Sequence, residues 1–129
     1  MKRVGIIILN WNGKEHLATF LPSVVQYSGG NDVVVVDNNS SDDSVEFLNS
    51  NYPEIRLVHN PANGGFAKGY NEGLRQIQGD YEIYVLLNSD VEVTENWLEP
   101  ILNKMSLDES IAACQPKILA YKSKTHFEH

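Results

Sequence analysis

The segment of residues 81–91 constrains the fold most, because seven mostly apolar residues are followed by an abrupt polar turn at Asn88. The aliphatic and aromatic content predicts a strand that is buried on both faces of a parallel sheet. Ligands of open α/β sheets bind beyond the carboxyl ends of the strands, so Asn88, Ser89 and Asp90 are expected at the mouth of a site. Their oxygen atoms suit Mg²⁺ or Mn²⁺, although taken alone the segment is explained more simply as a polar turn before the next helix.

Strands and helices are predicted to alternate along the whole chain. Short aliphatic or valine-rich runs predict the strands, and apolar residues at helical spacing predict the helices between them. This alternation implies an α/β fold with a mainly parallel sheet that is covered on both faces. The further predicted strands are residues 4–9, 32–36, 55–58 and 111–119, and the predicted helices lie at 17–25, 42–51, 66–77 and after Thr94 as far as Met105.

Some positions carry more specific expectations. Pro22 predicts a kink or a restart within the first helix. Gly69 and Gly73, four residues apart inside the third helix, predict that another backbone or a ligand approaches closely there. Cys114 is expected to be a small buried thiol, whereas His126 and His129 lack partners at metal-ligand spacing and are expected to be tail residues.

Composition and charge exclude several classes of function. A chain of 129 residues with 42% hydrophobic content is long enough for one domain with a core, but not for two. The net charge of −7 argues against binding to nucleic acid or docking on an anionic membrane. No apolar run approaches the length of a transmembrane span or of a signal peptide, so the sequence predicts a cytoplasmic protein. A phosphate-bearing ligand would need a metal ion, helix N-termini or backbone amides.

Polar clusters follow three of the predicted strands, at residues 10–13, 37–41 and 88–90. Because parallel strands end at one edge of a sheet, these clusters are expected to form a pocket. A Walker A loop is excluded, since Ile8 stands where Gly is required and Glu15 where Ser or Thr is required. NAD and FAD are not expected either, because the dinucleotide fingerprint needs glycines directly after the first strand.

The segments Ile7–Gly13, Val36–Asp42, Asn63–Gly73 and Leu86–Val91 cover nearly the whole chain in order. Together they resemble the successive motifs of family 2 glycosyltransferases, particularly the rhamnosyltransferase-like members. The resemblance implies a GT-A fold, which is a Rossmann-like α/β architecture. It also implies a nucleotide-diphosphate-sugar donor, a divalent cation such as Mg²⁺ or Mn²⁺, and inverting transfer of the sugar to an acceptor hydroxyl.

The resemblance assigns roles to individual residues on the nucleotide side of the expected site. Asp37 and Asn38 match positions that hold the base and the ribose, in a pocket that Leu9 and Asn10 also line. A second motif matches the region beside the nucleotide and the diphosphate. Its assigned residues are Gly65, Lys68 and Asn71.

The metal side of the expected site falls on the segment that begins at Asn88. Asn88, Ser89 and Asp90 stand where the family has its Asp-x-Asp motif, with Asp90 as the metal ligand. Asn88 replaces the first Asp, which lowers the charge of the ligand set and leaves metal dependence open. Lys68 is explained equally well as a solvated helix lysine, since it can neutralise phosphate only if it points inward.

Chain length differs from that of the resembling family, in which the acceptor half and the catalytic base lie well beyond the Asp-x-Asp region. Residues 1–129 are therefore expected to be a single donor-binding domain, truncated at its C-terminal side and inactive by itself. Exposed apolar surface on that side predicts a homodimer.

The expected function of the full-length protein is that of a hexosyltransferase in cell-wall or polysaccharide biosynthesis. Its acceptor would be a saccharide or a lipid-linked molecule, with peripheral association at the membrane. A non-catalytic nucleotide-binding or regulatory module, and a purely structural α/β domain, are the alternatives.

Overall fold

The computed structural model describes residues 2–127, in which a parallel four-stranded sheet has the order β3-β2-β1-β4. A small antiparallel hairpin of β5 and β6 follows. The strands are β1 (Val4–Asn10), β2 (Asp32–Asp37), β3 (Arg56–His59), β4 (Ile83–Leu87), β5 (Leu119–Ala120) and β6 (Ser123–Phe127), and the helices are α1 (Lys14–Tyr27), α2 (Ser44–Asn51), α3 (Phe66–Gln76) and α4 (Glu99–Leu107). This arrangement confirms the predicted α/β class and the mainly parallel sheet.

Strand β1 lies at the centre of the sheet, where Ile7 pairs with Val34 of β2 on one side and with Leu86 of β4 on the other. Its aliphatic residues are buried on both faces of the sheet, as expected for a central parallel strand. Because side chains alternate along a strand, Ile6 and Ile8 enter one core cluster and Ile7 enters the other.

The two faces of the sheet are covered by different helices. The cluster around Ile6 and Ile8 receives Leu17 and Leu21 of α1 and Leu48 of α2. The opposite face is covered by α3, through Tyr70 and the residues that surround it. The sheet therefore has helices on both sides, which leaves its carboxyl edge as the open end of the domain.

Close packing of α3 explains the two glycines predicted to mark a close approach. A Cβ atom at Gly73 would lie 2.6 Å from both Cγ atoms of Val36, and one at Gly69 would lie 2.9 Å from Nδ2 of Asn38. Both distances are shorter than ordinary van der Waals contact, so any larger residue would force the helix away from the sheet. The predicted close approach is therefore confirmed, but its partners are side chains of Val36 in β2 and of Asn38 directly after it, and not the backbone or ligand that was expected.

The prediction that residues 81–87 are buried on both faces is wrong. Strand β4 pairs only with β1 and forms an edge of the sheet among the described residues. Leu86 is 54% exposed because α3 packs over β1, β2 and β3 on this face. A run of apolar residues indicates burial, but it does not say which neighbour covers the strand.

The predicted helix after Thr94 begins later than expected, at Glu99. Asn96 has a φ of 61°, a left-handed conformation that a right-handed helix cannot include. Tertiary contacts hold this irregular segment instead: the indole Nε1 of Trp97 donates to the carbonyl of Tyr27, and Leu98 is buried in the core.

The predicted strand at residues 111–119 is also wrong, because only its last residue belongs to a strand, in the hairpin of β5 and β6. Cys114 lies in the preceding segment without regular structure and is exposed rather than buried. His126 belongs to strand β6, and His129 lies outside the described residues.

Helix α1 continues through Pro22 without the predicted restart. Proline removes only the hydrogen bond to the carbonyl of Ala18, and both residues lie on the exposed side of the helix. Within residues 2–127, no helix has the length and apolar content needed to cross a membrane.

Candidate functional site

A cavity of about 400 Å³ lies at the carboxyl edge of the sheet, beyond the ends of β1, β2 and β4. Six residues predicted for the site line this cavity, which confirms that the separate polar clusters come together. They are Leu9, Asn38, Gly65, Asn88, Ser89 and Asp90. A second depression, of about 650 Å³, lies beside α2 and is lined by Asp42, Asp43 and Glu46 together with polar residues. It contains none of the predicted site residues.

The remaining four predicted residues do not line the cavity. Asn10 and Asp37 are the buried last residues of β1 and β2, directly behind the cavity wall. Lys68 and Asn71 lie on the exposed surface of α3, and the stem of Lys68 folds over Gly64. A role for Lys68 would therefore require its flexible side chain to turn toward the cavity.

Asn10 and Asp37 are joined by a polar network that closes the ends of their strands. Nδ2 of Asn10 donates to Oδ1 of Asp37 at 3.1 Å, and the other carboxylate oxygen accepts from the backbone N–H of Ser40 at 3.0 Å. Asp37 is only 3% exposed and Asn10 is fully buried. The carboxylate of Asp37 therefore shapes the turn after β2, in addition to any contact that it makes with a ligand.

Asn38 is held by a second polar network on the cavity side. Its Nδ2 donates to Oδ1 of Asn63 at 2.8 Å and to the carbonyl of Gly65 at 3.4 Å. Its Oδ1 accepts from Nδ2 of Asn60 at 3.0 Å. Asn63 in turn accepts from the N–H of Gly65. These bonds join the end of β2 to the loop that enters α3.

The turns that follow β1 and β2 are tied together by Asn12 and Asp42. Oδ1 of Asn12 accepts from the N–H groups of Ser41 and Asp42. The carboxylate of Asp42 accepts from the N–H of Lys14 in α1 and from the N–H of Ser44 in α2. Burial alone would raise the pKa of Asp42, but the hydrogen bonds from Ser44 and from backbone N–H groups that include Lys14 together outweigh it and lower the pKa. Asp42 thus places a carboxylate against the first N–H group of two helices, where the helix dipole favours a negative charge.

The end of β4 is fixed by Tyr70, which belongs to α3 on the face of the sheet that carries Ile7. The buried hydroxyl of Tyr70 donates to the carbonyl of Leu87 at 3.0 Å, immediately before Asn88. Burial raises the pKa of this hydroxyl above its usual value, so it remains a donor throughout the physiological range. The backbone that leads to Asp90 therefore starts from a defined position.

Four residues that line the cavity were not assigned to the site from the sequence: Trp11, His16, Asn63 and Phe66. Trp11 and Phe66 are large aromatic side chains that remain 55% and 65% exposed. Trp11 stands within the polar cluster after β1 and Phe66 directly follows Gly65, so their position beside assigned residues was the available signal. Exposed aromatic faces beside polar groups are suited to stacking on a planar ligand.

The oxygen atoms of Asn88, Ser89 and Asp90 fit a hard divalent cation such as Mg²⁺ or Mn²⁺. Asp90 supplies one exposed carboxylate to the cavity. Within the described part of the chain, no three His, Cys, Asp or Glu side chains come together as a ready-made metal site. This donor set matches a cation that takes one carboxylate from the protein and fills its shell with ligand oxygens and water.

Sequence comparison decides the family, because residues 5–129 match the model of the family described as "Glycosyl transferase family 2". The chain belongs to glycosyl transferase family 2. An uncharacterized glycosyltransferase of Haemophilus influenzae is 31% identical in an alignment of 109 positions, which covers 81% of this chain and 43% of the relative. The chain thus spans less than half the length of this relative.

Solved structures show that the family 2 chain has the GT-A fold. A mannosyltransferase, PcManGT from Pyrobaculum calidifontis, solved in complex with GDP-Man and Mn²⁺, superposes with a TM-score of 0.71 at 22% identity. The match covers 85% of this chain and 34% of that protein. S. aureus TarS 1-349 in complex with UDP gives a TM-score of 0.67 at 16% identity, over 94% of this chain and 43% of that protein.

Proposed function

We propose that this chain binds a nucleotide-diphosphate sugar in the cavity at the carboxyl edge of the sheet. The observation that carries the proposal is the joining of Leu9, Asn38, Gly65 and the 88–90 segment around one cavity. These residues come from four separate motifs of the sequence and meet at one end of the parallel strands. Membership of the family and the nucleotide ligands of the related solved structures support the same ligand class.

The nucleoside is proposed to lie on the side of the cavity formed by the ends of β1 and β2. The exposed face of Trp11 offers a stacking surface for the base, and the side chain of Leu9 offers an apolar contact. Asp37, Asn38 and Asn10 are proposed to hold the base and the ribose directly or by shaping the wall, since all three are buried there.

The diphosphate is proposed to lie between the start of α3 and the 88–90 segment. Phe66 and Gly65 place the N-terminus of α3 at the cavity, where unpaired backbone N–H groups favour an anion. The first turn of α3 contains no acidic residue, and Lys68 stands within it. Asn71 is proposed to face the same ligand from the next turn.

Asp90 is proposed to hold Mg²⁺ or Mn²⁺ together with Asn88 and Ser89, which share the cavity wall with it. When bound, the cation would neutralise the negative charge of the diphosphate leaving group. Asn88 in place of a second carboxylate lowers the charge of this ligand set. The affinity for the cation alone is therefore proposed to be weak, and donor phosphates would raise it.

For the whole protein, we propose inverting transfer of a hexose to a hydroxyl of a saccharide or lipid-linked acceptor, in a rhamnosyltransferase-like branch of the family. The process would be cell-wall or polysaccharide biosynthesis, in the cytoplasm or peripherally at a membrane. Asp90 is the one carboxylate among the residues that line the described cavity, and its proposed role is on the donor side. A base is needed within hydrogen-bond reach of the acceptor, so residues 1–129 are proposed to bind the donor without efficient transfer.

A thermal-shift screen of nucleoside diphosphates and their sugars, each with and without Mn²⁺, tests the proposal. A ligand that binds only the folded state raises the melting temperature in a concentration-dependent way. Stabilisation by at least one nucleoside diphosphate supports donor binding, and a larger shift of the melting temperature with Mn²⁺ than without it supports the metal site. The absence of stabilisation across all nucleobases would favour the alternative of a structural α/β domain.

A further inference from the structure

Asn60 is a buried polar residue that no motif assigns to the site. It directly follows β3 and is 4% exposed, and it lies behind the residues that line the cavity. Every polar group of its side chain is used. Nδ2 donates to Oδ1 of Asn38 at 3.0 Å and to the carbonyl of Gly69 at 2.9 Å, while Oδ1 accepts from Nε2 of Gln76 at 3.1 Å.

The hydrogen-bonding groups around Asn60 determine which way its side-chain amide faces. Nε2 of Gln76 also donates to the carbonyl of His59 at 3.1 Å, so Gln76 presents a donor to Asn60. The carbonyl of Gly69 can only accept, so Nδ2 of Asn60 must face Gly69 and Asn38. The backbone N–H of Asn60 also donates to the carbonyl of Asp37 at 2.8 Å, which fixes its main chain against β2. The orientation is therefore set from outside the cavity.

Asn60 in turn determines the orientation of Asn38. Because Oδ1 of Asn38 accepts from Asn60, Nδ2 of Asn38 is directed at Oδ1 of Asn63 and at the carbonyl of Gly65. A reversed Asn38 amide would place its oxygen against these two acceptors, which is unfavourable in a buried position.

We propose that Asn60 is a positioning residue for the proposed nucleotide site. It sets the amide of Asn38, and through that amide it sets the cavity wall formed by Asn63 and Gly65. The inference rests on the proposed function for its effect on nucleotide binding. Its effect on the wall itself does not depend on any ligand.

Gly69 makes this arrangement possible. A Cβ atom at Gly69 would lie 2.9 Å from Nδ2 of Asn38. The missing side chain lets α3 approach closely enough for the carbonyl of Gly69 to accept from Asn60. The motif that contains Gly69 thus contributes to the site through the two asparagines, as well as through its own backbone.

The test compares Asn60→Ala with Ile55→Ala, a core substitution that precedes the other end of β3 and destabilises without touching Asn38. Two readouts are used on the full chain. The first is the dissociation constant of a nucleoside diphosphate with Mn²⁺, corrected for the folded fraction. The second is the hydrogen-exchange rate of the Nδ2 protons of Asn38 in the free protein, followed by NMR.

Asn60→Ala is expected to weaken nucleotide binding by roughly fivefold or more, the fold-change that corresponds to one lost hydrogen bond. It should also accelerate exchange of the Asn38 Nδ2 protons, whereas Ile55→Ala leaves both readouts within about twofold of the wild type when stability is matched. In an Asn38→Ala background, Asn60→Ala should weaken binding no further. The inference is overturned if Asn60→Ala weakens binding as much in the Asn38→Ala background as in the wild type, or if the single variant binds unchanged.

Failure of the proposed function gives a different result. If the wild type binds no nucleoside diphosphate, that proposal falls, and the exchange rate of the Asn38 protons alone decides the inference. Faster exchange in Asn60→Ala than in Ile55→Ala supports it, and equal exchange overturns it. If Asn60→Ala does not fold, Asn60→Ser, which keeps one hydroxyl donor, is judged by the same readouts and the same outcomes.

Discussion

Nδ2 of Asn10 donates a hydrogen bond to Oδ1 of Asp37 at 3.1 Å, across the last residues of two adjacent parallel strands. Oδ1 of Asn10 has no hydrogen-bond partner among the described residues, although the side chain is fully buried. The amide is therefore oriented by its donor side alone. The paired ends of β1 and β2, behind the cavity wall, therefore depend on the Asp37 carboxylate.

Replacement of Asp37 by Ala is expected to lower the free energy of unfolding by about 1–3 kcal/mol, because it leaves a buried donor of Asn10 with a poorer partner. Asp37→Asn should cost less, since Asn10 can turn its unpaired Oδ1 toward the new amide. Urea denaturation of both variants checks this order. Nucleotide affinity of Asp37→Ala should fall by at least ~1 kcal/mol, and unchanged affinity would restrict Asp37 to the turn.

Gly73→Ala is expected to destabilise the protein by about 1–3 kcal/mol, since the new methyl group would meet Val36 at 2.6 Å. Alanine is favoured over glycine by about 1 kcal/mol in an exposed helix, so a stabilised variant would contradict the packing described here. Denaturant titration gives the value. Adding Val36→Ala should recover part of the loss by restoring space, while the matched control Gly30→Ala, which meets nothing within 4 Å, should have little effect.

Tyr70→Phe is expected to change the alkaline stability profile. Burial raises the pKa of Tyr70 above its ordinary value of 10.0. The stability that the protonated Tyr70 hydroxyl contributes is therefore complete below pH 10 and is lost as the pH rises through the folded-state pKa. The variant should lose about 0.5–1.5 kcal/mol at neutral pH, through the bond to Leu87, and should show a shallower further loss above pH 10. Tyr52 and Tyr81, whose pKa values burial also raises, remain in both proteins, so parallel curves would contradict the assignment to Tyr70.

Asp90→Asn is expected to leave the free energy of unfolding within about 0.5 kcal/mol of the wild type, because the side chain is exposed. It should remove the part of nucleotide binding that depends on Mn²⁺. Glu95→Gln is the matched control, since it removes an exposed carboxylate five residues later. This variant should bind the nucleotide as the wild type does. Calorimetric titration of the two variants with and without the metal makes the comparison, and equal metal dependence in both would remove Asp90 from its proposed role.

The strand ends could be predicted from the sequence because each is a local change, from an aliphatic run to a polar cluster, as at Val36 and Asp37. Parallel pairing then places the polar clusters at one edge without further information. The asparagine network around Asn60 could not be predicted, since the partners of its side chain are 9, 16 and 22 residues away and meet only after α3 packs on the sheet.

Errors in the prediction have a common physical origin in tertiary contacts. The segment before α4 has helical spacing, but Asn96 adopts a left-handed conformation and the indole of Trp97 bonds to Tyr27. Cys114 has the apolar neighbours of a buried residue, yet the described chain provides no core around it. Apolar content indicates that a segment favours burial, whereas the covering partner depends on the rest of the fold.

We propose that the cavity holds a nucleoside diphosphate whose phosphates are bound together with a divalent cation at Asp90. The most direct measurement is the dissociation constant of the best nucleoside diphosphate from the thermal-shift screen, determined by calorimetry in Mn²⁺ and again in excess chelator. We predict saturable one-to-one binding that is at least about tenfold tighter with Mn²⁺, a difference of about 1.4 kcal/mol. Equal affinity under both conditions, or no binding in Mn²⁺, would contradict the claim.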